Sequence, residues 1–170
     1  MRKRTAVLAI AVLAAGLLVA SLASASGGGK RVFKADLDSY NEVPAISSNG
    51  FGQLRVRPGE NDMELTYELS YGGLNATATA AHIHLGQANV NGGVSVFLCG
   101  GGGKPACPAG TGDEETVTGT ITPADIIGPA GQGLAAGEWD EFLRAMRAGV
   151  TYGNVHTTMH PGGEIRDQLG

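Results

Sequence analysis

Met63-Glu64-Leu65-Thr66-Tyr67-Glu68-Leu69-Ser70-Tyr71 is the longest strict alternation of apolar and polar side chains in the chain. Successive side chains of a β-strand point to opposite faces, so a period of two predicts a strand that buries Met63, Leu65, Tyr67, Leu69 and Tyr71. Ahead of it, Pro58-Gly59-Glu60-Asn61-Asp62 reads as a turn. Before that turn, Gly52, Leu54 and Val56 alternate with Gln53, Arg55 and Arg57. Residues 51–71 are therefore expected to form a β-hairpin with one buried face. The same logic extends outward. Phe33, Ala35 and Leu37 mark an earlier strand, which Asn41-Glu42-Val43-Pro44 interrupts because proline cannot serve a central ladder. Further strands are expected over Val94–Leu98, Glu115–Thr122, Thr151–Thr157 and Glu164–Leu169, the last two joined by Pro161-Gly162-Gly163. Thr122-Pro123-Ala124-Asp125 has the form of a helix start, but Gly128-Pro129 limits it to a turn or two. The one substantial helix falls at 138–148, where Trp139, Phe142, Leu143 and Met146 line one face and Gly149 follows. The expected architecture is all-β. It has seven or eight mostly antiparallel strands in a sandwich or barrel, with one short amphipathic helix over an open end or edge.

The N-terminus has a different character. Arg2-Lys3-Arg4 precede an apolar run from Ala6 to Ala20, and Ala23-Ser24-Ala25 offers a small-x-small cleavage site. Residues 1–25 read as a secretory signal peptide; an uncleaved anchor is the alternative, for which the apolar run is short. Ser26 to Lys30, with three glycines, reads as a flexible tether (26–31), leaving 32–170 as one domain. Removing residues 1–25 leaves nine Lys and Arg against sixteen Asp and Glu, a net charge of −7. Such a balance argues against nucleic acid or an anionic membrane surface as partner, and no membrane span is expected after cleavage. The two cysteines, Cys99 and Cys107, bracket a glycine-rich loop. In an exported chain they are expected to form a disulfide that pins the loop locally; a thiolate metal site is the alternative.

The four histidines occupy two short stretches. In Ala81-His82-Ile83-His84-Leu85, the apolar row Ala81, Ile83 and Leu85 is expected to face a core, which puts His82 and His84 together on the other face. Side chains at i and i+2 lie about 6.5–7 Å apart along a strand, close enough for two imidazoles to share one metal ion. In Asn154-Val155-His156, an inward Val155 puts His156 outward, beside Tyr152 and Asn154. If the two strands are neighbours, His82, His84 and His156 share an outer face, and His160 on the following turn can reach it. Three or four imidazoles suit Cu(II) or Zn(II), copper being the first expectation. Histidines that merely hydrogen-bond loop carbonyls, oriented by Asn154 and Glu164, are the structural alternative. Glu164 and Arg166 are expected to pair with one another, and Glu42 to cap a turn. No nucleophile motif is present, and Gly100 to Gly103 lacks the ending a phosphate loop needs.

Six stretches in order, Asn41-Glu42-Val43-Pro44, Gly50-x-Gly52, Ala81-His82-Ile83-His84-x-Gly86, Gly92-Gly93-Val94, Asn154-Val155-His156-Thr157 and Pro161-Gly162-Gly163-Glu164-Ile165-Arg166, resemble the CHRD domain, named after chordin. The resemblance covers nearly all of 32–169 and is to the single-domain form secreted by bacteria. Asp167, where the family usually has Gly, and the Cys99–Cys107 insertion depart from the pattern without touching the histidines. The resemblance implies a β-sandwich or Greek-key barrel, superoxide-dismutase-like in general shape, and no general enzymatic activity. The His-x-His pair is also similar to the copper site of copper/zinc superoxide dismutase, although that enzyme's zinc loop has no counterpart here. Three functions follow as expectations: an exported non-enzymatic domain that binds copper or zinc, an extracellular matrix or protein-interaction module with structural histidines, and a copper oxidoreductase.

Overall fold

The computed structural model describes residues 32–61 and 63–170. The expected signal peptide (1–25) and the tether (26–31) lie outside these residues. Eight strands form one antiparallel sheet: β1 (Phe33–Asp38), β2 (Phe51–Pro58), β3 (Leu65–Gly72), β4 (Ala78–Leu85), β5 (Gly93–Cys99), β6 (Glu115–Ile121), β7 (Thr151–Thr157) and β8 (Ile165–Gln168). Their spatial order is β5-β4-β7-β8-β1-β2-β3-β6. The edge strands β5 and β6 approach each other, so the sheet curls into a nearly closed barrel rather than splitting into two layers. Three contacts bridge the gap. Ile127 N–H donates to Ser95 O at 2.9 Å. Lys104, from the loop after β5, donates to Thr120 O on β6 and pairs with Asp125, both at 2.7 Å. The Cys99–Cys107 disulfide closes that loop, with Cα atoms 5.0 Å apart.

Period-two patterning decides what fills the barrel. Phe33, Ala35 and Leu37 of β1 point inward with Leu54 and Val56 of β2 and Leu65, Tyr67, Leu69 and Tyr71 of β3. Ala81 and Ile83, Val96 and Leu98, Val155 and Ile165 complete the wall. Each fully buried side chain of this size contributes about 1.5–3 kcal/mol by leaving water. The two tyrosines inside the barrel satisfy their hydroxyls: Tyr67 donates across the interior to Leu98 O at 2.6 Å, and Tyr71 to Pro108 O at 2.8 Å. Met63 departs from the expected burial. Strand β3 starts at Leu65, and Met63 stays in the preceding turn, half exposed, its N–H donating to Asn61 Oδ1.

Helix α1 (Trp139–Arg147) lays Trp139, Phe142 and Met146 on the core. Asp140 and Glu141 lie in its first turn and Arg144 and Arg147 in its last, matching the helix dipole. Gly149, at φ +69°, takes the left-handed position that ends it, and Gly149 and Val150 N–H groups return to Met146 and Ala145 carbonyls. Truncating Phe142 to Ala would leave a cavity under the helix and cost about 3–5 kcal/mol. Thr122-Pro123-Ala124-Asp125 forms only a 3-10 turn, with Asp125 capping the Thr122 N–H.

Candidate metal centre

Strands β4 and β7 are neighbours, and their register sets the site. Ala80 lies opposite His156, His82 opposite Asn154 and His84 opposite Tyr152. With Ala81, Ile83 and Val155 turned into the barrel, these side chains leave it on the outer face. Ala80 is small, so the His156 ring can lean toward His82. The ring centroids stand 4.7 Å apart for His82–His156, 5.3 Å for His82–His84 and 5.9 Å for His84–His156. One ring nitrogen from each falls within 4.8 Å of the other two. On its other side β4 pairs with β5 through two register shifts, at Ala81/His82 and Ile83/His84. Bulges of this kind re-aim side chains at the point where a site is built.

The outer face is not a solvated one. His82 is 7% exposed and His84 6%. Loops fold over them. Asn91 donates to Val43 O, Arg166 donates to Asn91 Oδ1 and Val90 O, and Glu42 accepts from Asn154. Phe97, opposite His82 on β5, sets its ring against the imidazole at 4.4 Å, with the glycine loop around Gly101 lying on Phe97. Tyr152 stacks flat on His84 at 4.7 Å, and the Arg166 guanidinium sits 3.6 Å over the Tyr152 ring.

Backbone carbonyls fix the ring tautomers. Gly92 O lies 3.0 Å from His84 Nδ1, and Pro161 O 3.0 Å from His156 Nδ1. A carbonyl only accepts, so both Nδ1 atoms carry the proton and both Nε2 atoms are bare in the neutral rings. His156 Nε2 then accepts from His82 Nδ1 at 2.9 Å, which leaves His82 Nε2 bare as well. The Nε2 atoms of His82 and His84 are buried without a hydrogen-bond partner. Burial, and then the neighbouring imidazoles, push His82 down to about 3. Burial pushes His84 down to about 4, against the Gly92 hydrogen bond and with His156 and Arg166 adding to the depression. Burial lowers His156 too, opposed by the Pro161 hydrogen bond. At neutral pH the cluster holds three uncharged imidazoles, the form that binds metal.

Three expectations change. His160 does not join the cluster; its Nε2 lies 3.4 Å from Asn75 Nδ2 instead. Glu164 and Arg166 do not pair: Glu164 accepts from Asn75 N–H and Thr157 Oγ1, while Arg166 turns to the loop and to Tyr152. Asn154 and Glu164 do not hold the rings; the loop carbonyls of Gly92 and Pro161 do, which is the carbonyl half of the structural alternative. Glu42 follows the short turn Ser39–Asn41 and accepts the Val43 N–H, as a turn residue should. Its carboxyl is also buried, and burial raises it to about 7.

The family model for the CHRD domain matches residues 33–169. The chain belongs to the CHRD family. Searches of curated proteins and of solved structures return no significant match. In this CHRD domain, five of the six stretches that carry the resemblance converge on the histidines. They supply Glu42 under Asn154, His82 and His84, the Gly92 carbonyl, Asn154 and His156, and the Pro161 carbonyl with Arg166. Gly50-x-Gly52 is the exception: a side chain at Gly50 or Gly52 would strike Ile165, in the wall. No helix among the described residues is long and apolar enough to cross a membrane.

Proposed function

We propose that this CHRD domain is an exported, non-enzymatic domain that binds one transition-metal ion, copper or zinc, through His82, His84 and His156. The observation that carries this reading is the pair of bare, buried Nε2 atoms in a cluster of three neutral imidazoles. Leaving a buried polar atom without a partner costs about 1–3 kcal/mol, and here the cost is incurred twice within one cluster. A metal ion would satisfy both atoms, and His156 Nε2 would join as third ligand by giving up the hydrogen bond it accepts from His82 Nδ1. The Gly92 and Pro161 carbonyls supply the outer hydrogen bonds that orient metal-bound imidazoles. His160 stays outside this ligand set and is an optional contributor, should its turn move on binding. Export is supported by the disulfide and by the leader-like residues 1–25.

Elemental analysis and calorimetric titration of untagged protein at neutral pH test the reading. One equivalent of copper or zinc is expected, and none for His82→Ala or His84→Ala. Uptake of no metal would overturn it and leave the histidines as structural parts of an extracellular interaction module.

A further inference from the structure

The charge around the three imidazoles selects among ions. The group that could hold an ion contains no Asp, Glu or Cys, so an incoming cation meets no ligand charge that offsets its own. Two of the three rings are shielded from water: His82 and His84 are over nine-tenths buried, and His156 is half-buried. The cost of moving an ion from water into such a site grows with the square of its charge, so a dication costs about four times as much as a monocation of similar size.

A fixed positive charge adds to this. His84 reaches Tyr152 from β4 and Arg166 reaches it from β8, on the opposite side of β7. Tyr152 is thus sandwiched between an imidazole and a guanidinium cation. Arg166 is 2% exposed, and the acceptors of its hydrogen bonds, Asn91 Oδ1 and Val90 O, are neutral. The buried carboxyl on this face, Glu42, binds Asn154 and the Val43 N–H outside the imidazole group, and it lies near enough to Arg166 for the guanidinium to favour its ionised form, so that its charge offsets part of that of Arg166.

Resting on the metal-binding reading above, the geometry points to monovalent copper as the resident ion, held by His82, His84 and His156, with the Arg166–Tyr152 stack disfavouring divalent ions. A three-nitrogen set suits a d10 monocation that accepts trigonal coordination, whereas zinc on three histidines takes a water as fourth ligand, for which the burial of His82 and His84 leaves little access. The guanidinium stands 3.6 Å from the Tyr152 centroid and the His84 ring 4.7 Å from it, and at an intermediate effective dielectric a charge one ring away from a ligand disfavours a second unit of charge by roughly 10- to 30-fold.

The test is a competition titration of untagged protein. Cu(I) is supplied anaerobically against bicinchoninate, and Cu(II) and Zn(II) are titrated separately against nitrilotriacetate. Cu(I) is expected to bind at least about 100-fold more tightly than either dication, as charge cost and fixed charge combine. Arg166→Gln should narrow that gap by roughly 10- to 30-fold and Arg166→Lys should restore it. Should Arg166→Gln fail to fold, the wild-type order alone decides. Equal or tighter binding of Cu(II) or Zn(II) overturns this inference and leaves the metal-binding reading standing. An unchanged gap in a folded Arg166→Gln variant overturns the role of the guanidinium. Binding of no ion overturns both.

Discussion

Replacing His84 by Phe should make the metal-free protein progressively more stable than wild type as the solution is acidified. In the folded chain His84 is held at about 4, against 6.5 for the free side chain. The unfolded chain therefore takes up a proton first. The stability that neutral His84 contributes is complete above pH 6.5 and drains away as pH falls toward 4. The slope is about 1.4 kcal/mol per pH unit, so the loss reaches about 2.5 kcal/mol by roughly pH 4.5. A phenyl ring at this position stacks on Tyr152 and has no proton to bind. At about pH 7.5 the variant loses the hydrogen bond to Gly92 O, about 1 kcal/mol, and is relieved of a bare buried nitrogen, about 1–3 kcal/mol. The two proteins should be close in stability there. Glu42, raised to about 7, acts in the opposite sense and favours the fold as pH drops, but it is present in both proteins and cancels. Urea unfolding in EDTA, followed by Trp139 fluorescence at about pH 7.5, 6 and 4.5, measures the difference. It should move by about 2–3 kcal/mol in favour of the His84→Phe variant between the extremes. Parallel profiles, within about 0.5 kcal/mol, would refute the claim that the fold holds His84 neutral.

Replacing His160 by Ala should change copper or zinc affinity by less than about tenfold (about 1.4 kcal/mol), because its ring faces Asn75 rather than the cluster; calorimetry checks this. Gly92→Ala would set a Cβ 1.7 Å from Leu85 O and force the hairpin backbone to shift, taking the Gly92 carbonyl off His84. A stability loss of about 2 kcal/mol or more is expected, with weakened metal uptake, read by urea unfolding and titration. Replacing both cysteines by Ser removes a bridge across eight residues of sequence. The loop-entropy effect is about 2.5 kcal/mol, so thermal unfolding should shift down without loss of the strand spectrum.

The barrel was largely legible because its determinants are local. Leu65 to Tyr71, Phe33 to Leu37 and Ala81 to Leu85 alternate with period two, and each strand formed where its alternation lies. Met63 failed because alternation cannot see where a turn ends. The histidine faces were legible for the same reason as the strands. Their burial was not, since the cover comes from residues 41–46 and 86–92, whose folding over β4 and β7 is long-range and without period. Arg166 shows the limit most clearly. Two residues from Glu164 on one strand, it reads as half of an ion pair, yet Tyr152 and the Asn91 loop take the guanidinium while Thr157 and Asn75 take the carboxylate. That choice rests on cross-strand register, which no stretch of sequence states alone.

The order β5-β4-β7-β8-β1 has a consequence for timing. The β7–β8 hairpin is a keystone: it is made last and inserted between β4 and β1, strands synthesised long before. His82 and His84 must wait 72 residues for His156, and the carbonyl that orients His156 comes five residues later still. A chain that stops short of His156 leaves two long strand edges unpaired and can assemble no triad. Metal uptake would therefore report that the barrel has closed, a proofreading signal available only to molecules that have finished folding.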